Sequence, residues 1–540
     1  MSPIHHGNQR LDQIIGKTVF DYADSMKIRV PTSCGRSGEC HECIVEIVSG
    51  MDALNAPHDE ESFLRDNYRL ACQASIINTQ PDVEFKVLRR QPRILTHSIQ
   101  RNTELSPLTT RKNDGVYFDN KCIDSYRGAI YGLAIDTGTT TVVMNLVDLE
   151  TGETIHTASF ENPQRFGGSD IMHRISYDGG SFQGELQQVM LSSLNFEIGD
   201  MCRTLKIRRR QIYEVVIVGN ATMRDILFGI DVQSIGQKPY KSVIQVEFED
   251  GKRDTTALNV KAVNLGLRIF PEGNVYSGPL IGCHVGADVA ADLLAIGMDK
   301  QEETVMLVDI GTNTEVVVGN RHRMIAASCP AGPAFEGGEV KYGMPGYDGA
   351  IESVKINEDQ ISYATIGNSE AQGICGSGLV DLLAELRRTG KMDQLGVLAD
   401  GANEFYFALD QKMSMSRSDI SALAQAKSAN YCGQFIALRK YGVSIDKLSK
   451  LYLAGGFANY INVSNAASIG FIANPSEDKI VKAGNASLEG ATIMLISKDS
   501  RKDIEKMATE IEHVELETTS DFFELFVEGC MFKPMVRQLE

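Results

Sequence analysis

Two stretches of the same design constrain this chain most. From Leu133 to Val147 (LAIDTGTTTVVMNLV) an apolar run reaches Asp136, passes a Gly/Thr turn and continues as a second apolar run. From Val305 to Val318 (VMLVDIGTNTEVVV) the design repeats, with Asp309, Gly311, Thr312 and Asn313 at the turn. Apolar runs flanking a short polar turn predict β-hairpins. Gly138 lets the backbone approach a ligand closely. Thr139 and Thr140 offer hydroxyls and N–H groups suited to phosphate oxygens, and an aspartate suits a hydrated Mg²⁺ held by one or two carboxylates and phosphate. An ordinary Gly-containing hairpin has the same look, but two in one chain predict a duplicated fold with one phosphate turn from each half.

A third stretch, Leu451 to Ala458 (LYLAGGFA), is a short strand ending in Gly455 and Gly456. Together and in this order the three resemble the phosphate-1, phosphate-2 and adenosine motifs of the actin, sugar-kinase and heat-shock-chaperone ATPases (the ASKHA superfamily). The resemblance implies ATP and Mg²⁺ as ligands and a duplicated α/β, actin-like fold of two RNase H-like halves. Asp136 and Asp309 would stand around Mg²⁺ and the attacking water. Gly138, Thr139, Thr140, Gly311, Thr312 and Asn313 would hold phosphates, and Gly455 and Gly456 would lie against the adenosine. Gly376 and Ser377 precede a predicted helix over 379–388, and helix N-termini favour anions.

The cysteines are concentrated near the start. Cys34, Cys40 and Cys43 fall within one loop (CGRSGECHEC) and Cys72 follows 29 positions later. Three thiols in a tight loop plus one from elsewhere is how a 2Fe–2S cluster is held. Four thiolates also suit Zn²⁺, but zinc sites usually pair their ligands as two short knuckles, and Cys72 has no such neighbour. The glycines of the loop let N–H groups turn toward sulfur. Helices are predicted over 18–27 and 59–68, and strands over 44–48 and 83–88. The pattern resembles ferredoxins of the adrenodoxin type, with a five-residue first gap, and implies an α+β, β-grasp 2Fe–2S domain. His41 is expected to be simply exposed. The remaining cysteines, Cys122, Cys202, Cys283, Cys329, Cys375, Cys432 and Cys530, read as small buried hydrophobes.

Length and charge set the remaining bounds. A chain of 540 residues is expected to form two to four domains. A net charge of −18 argues against nucleic acid or an anionic membrane as the main partner. No apolar run approaches a membrane span, and the start lacks a basic region followed by an apolar one, so a cytoplasmic protein is expected. Between the cluster domain and the ATPase the apolar periodicity fades, with Pro92, Pro107 and Gly115 among polar residues. The expected layout is a 2Fe–2S domain over 1–92, a linker over 93–130 that lets the cluster domain swing, and the ATPase over 131–540.

Ferredoxin cysteines ahead of an actin-like ATPase resemble the reductive activators of corrinoid-dependent enzymes. Further stretches fit that family: Asn162 to Gln164, Gly168 to Asp170, Gly219 to Met223, Ala331 to Gly338 and Gly373 to Gly378. The resemblance implies one-electron return of inactive cobalt(II) corrinoid protein to cobalt(I) at the expense of ATP, with a low-potential electron donor upstream. It leaves a homodimer open. Asp170 and Gln164 are candidates for positioning the attacking water, alongside a purely structural hydrogen-bonding role. Larger family members carry a middle domain between linker and ATPase. Fewer than fifty residues separate the ferredoxin from Asp136 here, so that domain is expected to be missing or vestigial. Two other readings remain: an activator of acyl-CoA dehydratases, disfavoured by four local cysteines because those proteins hold a 4Fe–4S cluster between subunits, and a redox sensor that binds nucleotide without turnover. A small-molecule kinase would have no need of the ferredoxin.

Overall fold

The computed structural model describes residues 2–88, 99–282, 284–358, 360–456 and 458–535. Its first unit is a five-stranded sheet. The order is Gln9–Asp12, Pro3–His6, Val83–Val87, Ile44–Ser49, Tyr68–Leu70. The parallel pairing of Pro3–His6 with Val83–Val87 closes the chain on itself, and the helix Val19–Ser25 packs Val19, Phe20, Tyr22 and Ala23 into the core. This helix starts where Thr18 and Asp21 cap each other's backbone N–H groups. The expected helix over 59–68 is not formed. Only a single 3₁₀ turn, Asp59–Glu61, is present, and the chain goes extended at Tyr68–Leu70. The reason is Glu61. Its carboxylate accepts from Arg69 Nε at 2.8 Å, from Arg69 Nη2 at 2.9 Å and from the Leu70 N–H at 2.9 Å, with both side chains buried. That fork fixes the turn against the strand.

The expected linker is largely structured. Three short antiparallel strands, Thr109–Lys112, Gly115–Phe118 and Lys121–Ser125, form their own sheet. Thr109 donates to the buried carboxylate of Glu214 at 2.6 Å, and Arg501 grips the other oxygen. Ahead of it the backbone N–H of Ile99 bonds Ala483 at 3.1 Å, and Arg101 pairs with Asp299 at 3.1 Å.

The rest is a pair of six-stranded sheets of like construction. In the first, the hairpin Tyr131–Thr137 and Thr141–Asp148 has Thr154–Glu161 on one flank, antiparallel, and Ile212–Val218 on the other, parallel. In the second, Val305–Ile310 and Thr314–Asn320 have Arg323–Cys329 and Lys450–Ala454 in those places. Each sheet is therefore organised on one Asp-x-Gly-Thr hairpin. Val215, Val216, Ile217 and Val218 are fully buried, as a parallel strand covered on both faces requires. The helices Ala287–Ile296 and Ala486–Ile496 pack on each other between the sheets and share one apolar core with residues of both.

The cluster domain does not stand apart. Its core is continuous with the first lobe through Phe63, Phe166, Ile171, Tyr177 and Leu186. Phe63 meets Phe166 edge-on at 5.5 Å, and Tyr177 Oη donates to the Phe63 carbonyl at 2.6 Å. Arg29 pairs with Asp200 at the rim. The long helix Glu185–Leu205, expected from its apolar spacing, supplies this face.

Glu61→Ala should destabilise the cluster domain by about 3–5 kcal/mol, because it leaves the Arg69 guanidinium buried and unpaired. Loss of visible cluster absorption at lower urea than the loss of far-UV dichroism from the ATPase lobes would register it.

Candidate functional site

Two sites emerge. The first is the cysteine loop. Cys43 and Cys72 are buried with their sulfurs 3.4 Å apart, while Cys34 and Cys40 are half-buried. Burial pushes the Cys34 thiol up, but hydrogen bonds from Ser37, Cys40 and the Gly38 backbone outweigh it and bring it down to about 6. The Cys43 proton is shared with Cys72. This lowers Cys72 to about 7, against its burial, and drives Cys43 upward. The four thiols thus stand as two hydrogen-bonded pairs, each felt electrostatically by the other. No three His, Cys, Asp or Glu side chains among the described residues converge closely enough to grip one bare ion. Gly35, Arg36, Gly38 and His41 all have positive φ, from 54° to 94°, which coils the loop and turns its amides inward. Polarised, amide-lined thiols are the chemistry a 2Fe–2S centre needs. His41 departs from the expectation of simple exposure. It is half-buried, stacked on Phe63 at 4.1 Å and bonded to Glu185 at 2.8 Å. Its positive φ swings the ring out of the loop onto the first lobe.

The second site is the cleft between the two sheets. Asp136, Gly138, Thr139 and Thr140 line one wall, and Asp309, Gly311, Thr312 and Asn313 line the other. Gly376, Ser377, Gly455 and Gly456 also border it. Gly455 has φ +99°, and a side chain there would fall 2.2 Å from the Ile310 carbonyl and 2.8 Å from Asp309 Oδ1. Gly456 faces open space, the condition for a flat ring to lie against backbone. Ser377 starts the helix Gly376–Arg388, but its hydroxyl is turned to the Glu352 carbonyl at 2.8 Å, so only its backbone is offered to the cleft.

The floor of the cleft is acidic. Burial raises Asp136 to about 7, partly offset by the amide of Asn485 donating at 3.0 Å. Burial raises Asp309 to about 6 against a hydrogen bond from Asp292, and raises Asp288 to about 8. Asp292 and Glu315 are pushed well above the carboxylate range for the same reason. Such a group of carboxylates calls for a cation.

Asp288 and Asn485 were not singled out by sequence reasoning, and Asn220 and Glu336 appeared only within stretches that fit the family, with no role given. Asp288 lies in the first turn of Ala287–Ile296, so an acid two positions after Gly286 was the available signal. Asn220 and Asn485 cap short helices and reach Thr139 Oγ1 at 3.1 Å and Asp136. Glu336 joins the walls, accepting from Thr140 Oγ1 at 2.8 Å and from Thr312.

Asp170 does not reach the cleft. It caps the helix Ile171–Asp178, accepting from the His173 N–H at 3.0 Å, and its second oxygen holds the His173 ring at 2.5 Å. Gln164 is buried beside Leu186, donating to its carbonyl at 3.0 Å. Both are structural here. Their segment instead holds the back of the first phosphate turn: Asn162 donates to the carbonyls of Gly138 and Thr140, each at 2.8 Å.

A two-sheet actin-like ATPase joined to a thiol-rich β-grasp unit defines a ferredoxin-linked ATPase. Residues 5–76 match a 2Fe–2S iron–sulfur cluster binding domain. Residues 131–301 match the RACo middle region, and residues 303–539 the C-terminal domain of RACo, the ASKHA domain. The chain is 31% identical over 429 residues to the corrinoid activation enzyme RamQ of Eubacterium limosum, covering 75% of this chain and 70% of that protein. It is 24% identical to the [Co(II) methylated amine-specific corrinoid protein] reductase of Methanosarcina barkeri, over 73% of this chain and 75% of that one. A solved structure of a reductive activator for corrinoid, iron-sulfur protein aligns over 99% of both chains with TM-score 0.72 and 26% identity. The chain belongs to this family of corrinoid activation enzymes. The expectation of a missing middle domain is corrected: the family's middle region is present and coincides with the first lobe.

Raised carboxylates keep their protons in the folded chain where the unfolded chain has lost them. Stability therefore falls as pH rises from about 4 towards 8. In the nucleotide-free protein the thermal midpoint should drop across that window. Asp288→Asn should flatten the drop in calorimetry while lowering ATP turnover by at least about tenfold. Cys40→Ser should remove the visible charge-transfer absorption that iron loading gives the parent.

Proposed function

We propose that this chain uses ATP to return one electron to a corrinoid protein, taking cobalt(II) back to cobalt(I). The observation that carries the reading is the pairing in one body of an acidic phosphate cleft with a four-thiol loop. Cys34, Cys40, Cys43 and Cys72 would hold a 2Fe–2S cluster, which supplies low-potential one-electron transfer. The reading requires a low-potential electron donor upstream. In the cleft, Thr139, Thr140, Thr312 and Asn313 would orient the phosphates, and Asp136 and Asp309 would hold hydrated Mg²⁺. Gly455 and Gly456 receive the adenosine. Asp288, once a bound cation has displaced its own proton, would orient the water that attacks the terminal phosphate and take up that water's proton. The products are ADP and phosphate, and no nucleophilic side chain is required.

The energetic logic favours coupling. A plant-type 2Fe–2S centre lies near about −400 mV. Each ~59 mV by which the acceptor is harder to reduce costs a factor of ten in equilibrium, about 1.4 kcal/mol. ATP can close such a gap only if partner affinity differs between nucleotide states. Among the described residues no helix is long and apolar enough to cross a membrane, which suits a protein partner met in solution.

Anaerobically reduced protein mixed with a cobalt(II) corrinoid protein should develop the cobalt(I) absorption band only when ATP and Mg²⁺ are present. If several corrinoid proteins give no cobalt(I) while cluster and ATP hydrolysis remain intact, the acceptor is wrong. ATP hydrolysis indifferent to every corrinoid protein would favour the redox sensor.

A further inference from the structure

The described residues lining the cleft include many carboxylates and no lysine or arginine, although ATP brings several negative charges. A fixed positive charge lies directly behind the wall instead. Arg174, on the helix Ile171–Asp178, is fully buried. Its Nη2 donates to the Thr139 carbonyl at 2.8 Å and its Nε to the Gly168 carbonyl at 3.0 Å. Nη1 faces Met223 sulfur at 3.0 Å and Gln164 Oε1 at 3.5 Å. All four partners are neutral. Burial and the nearby Arg165 charge lower this guanidinium to about 9, more than the carboxylates of Asp170 and Glu336, which do not touch it, make up for. Phosphate in the turn would supply a counter-charge. Arg174 also polarises the Thr139 carbonyl, and polarising one end of a peptide strengthens the N–H donor at its other end, here that of Thr140.

The same helix has a second contact face. Tyr177, three residues on, stands beside Arg174 along the helix. Its hydroxyl donates to Phe63 of the cluster domain at 2.6 Å. Phe166 packs edge-on against both rings at 5.5 Å. On the other side Phe63 carries His41 of the cysteine loop, and Gln188 reaches the Cys40 carbonyl at 3.4 Å. One short helix therefore backs the phosphate turn and holds the cluster domain.

We propose that Arg174 is a positioning residue that makes phosphate binding in the Gly138–Thr141 turn and docking of the cluster domain on the first lobe mutually reinforcing. Phosphate fixes Arg174, Arg174 fixes the helix, and the helix presents Tyr177, with Phe166 of the preceding turn packed on it, to Phe63. Docking must then tighten nucleotide binding by the factor that nucleotide tightens docking. Loss of the terminal phosphate relaxes the contact and bares the Cys40–His41 side of the loop. This rests on the ATP reading of the cleft and not on the identity of the electron acceptor.

The test uses cluster-loaded protein and a non-hydrolysable ATP analogue with Mg²⁺. Amide hydrogen exchange over residues 58–68 reads docking, and calorimetry reads analogue affinity. In the parent, the analogue should slow exchange at 58–68 at least about fivefold. Arg174→Met should abolish that slowing. Tyr177→Phe, which removes one hydroxyl outside the cleft, should weaken analogue binding severalfold, and Phe166→Ala should do so further. Faster exchange at 58–68 in the Tyr177 and Phe166 variants with unchanged analogue affinity would overturn the linkage, as would undiminished slowing in Arg174→Met. A parent protein that binds no analogue at all would instead remove the ATP reading, and this inference with it.

Discussion

The structure depends on holding like charges together. Each lobe carries an aspartate one residue before the end of a buried strand, and packing the two sheets brings Asp136 and Asp309 into one cleft with Asp288 and Glu315, with Asp292 close by. Left ionised in a poorly hydrated cleft, they would drive the lobes apart. The chain meets this with protons, with the amide of Asn485 and with the serine hydroxyls of Ser487 and Ser328. The helices Ala287–Ile296 and Ala486–Ile496 hold the two halves by apolar contact. On the proposed reading, nucleotide would enter a site already assembled, and the cation it brings would replace protons rather than build the cleft.

What the sequence made legible was what its chemistry repeats. The twin Asp-x-Gly-Thr hairpins, the glycine pair at 455–456 and the cysteine spacing each need particular residues at particular offsets; both hairpins form, and the glycine pair borders the same cleft. The long helix at 185–205 was readable because its apolar period is sustained. The small sheet at 109–125 was legible in principle. Asn113-Asp114 and Asp119-Asn120 each sit between short strands as two-residue turns, with positive φ at Asn113, Asp119 and Asn120. Polar strands and a surrounding loop-like composition hid them.

Other features had no local signature. Asp170 was a candidate for positioning the attacking water because its stretch fits the family, with a structural hydrogen bond as the alternative; helix capping uses the same residue type and holds it here. Glu336 lies in a glycine-rich loop whose path alone brings it between Thr140 and Thr312. Tyr177 meets Phe63 across 114 positions of sequence, and Glu61 cancels a helix by a contact to Arg69 that periodicity does not register. These are tertiary facts, decided by which surfaces meet.

The anchoring of the chain at Ile99 and Arg101 sets how far the cluster domain can travel. Between Leu88, the last described residue of that domain's closing segment, and Ile99, a polypeptide can span at most about 40 Å. Even when released, the domain stays confined within a small volume beside its docking face. Its effective concentration there is of millimolar order. A corrinoid partner therefore competes with an intramolecular ligand that never diffuses away, and a modest change in docking affinity is enough to decide which of the two faces the cluster.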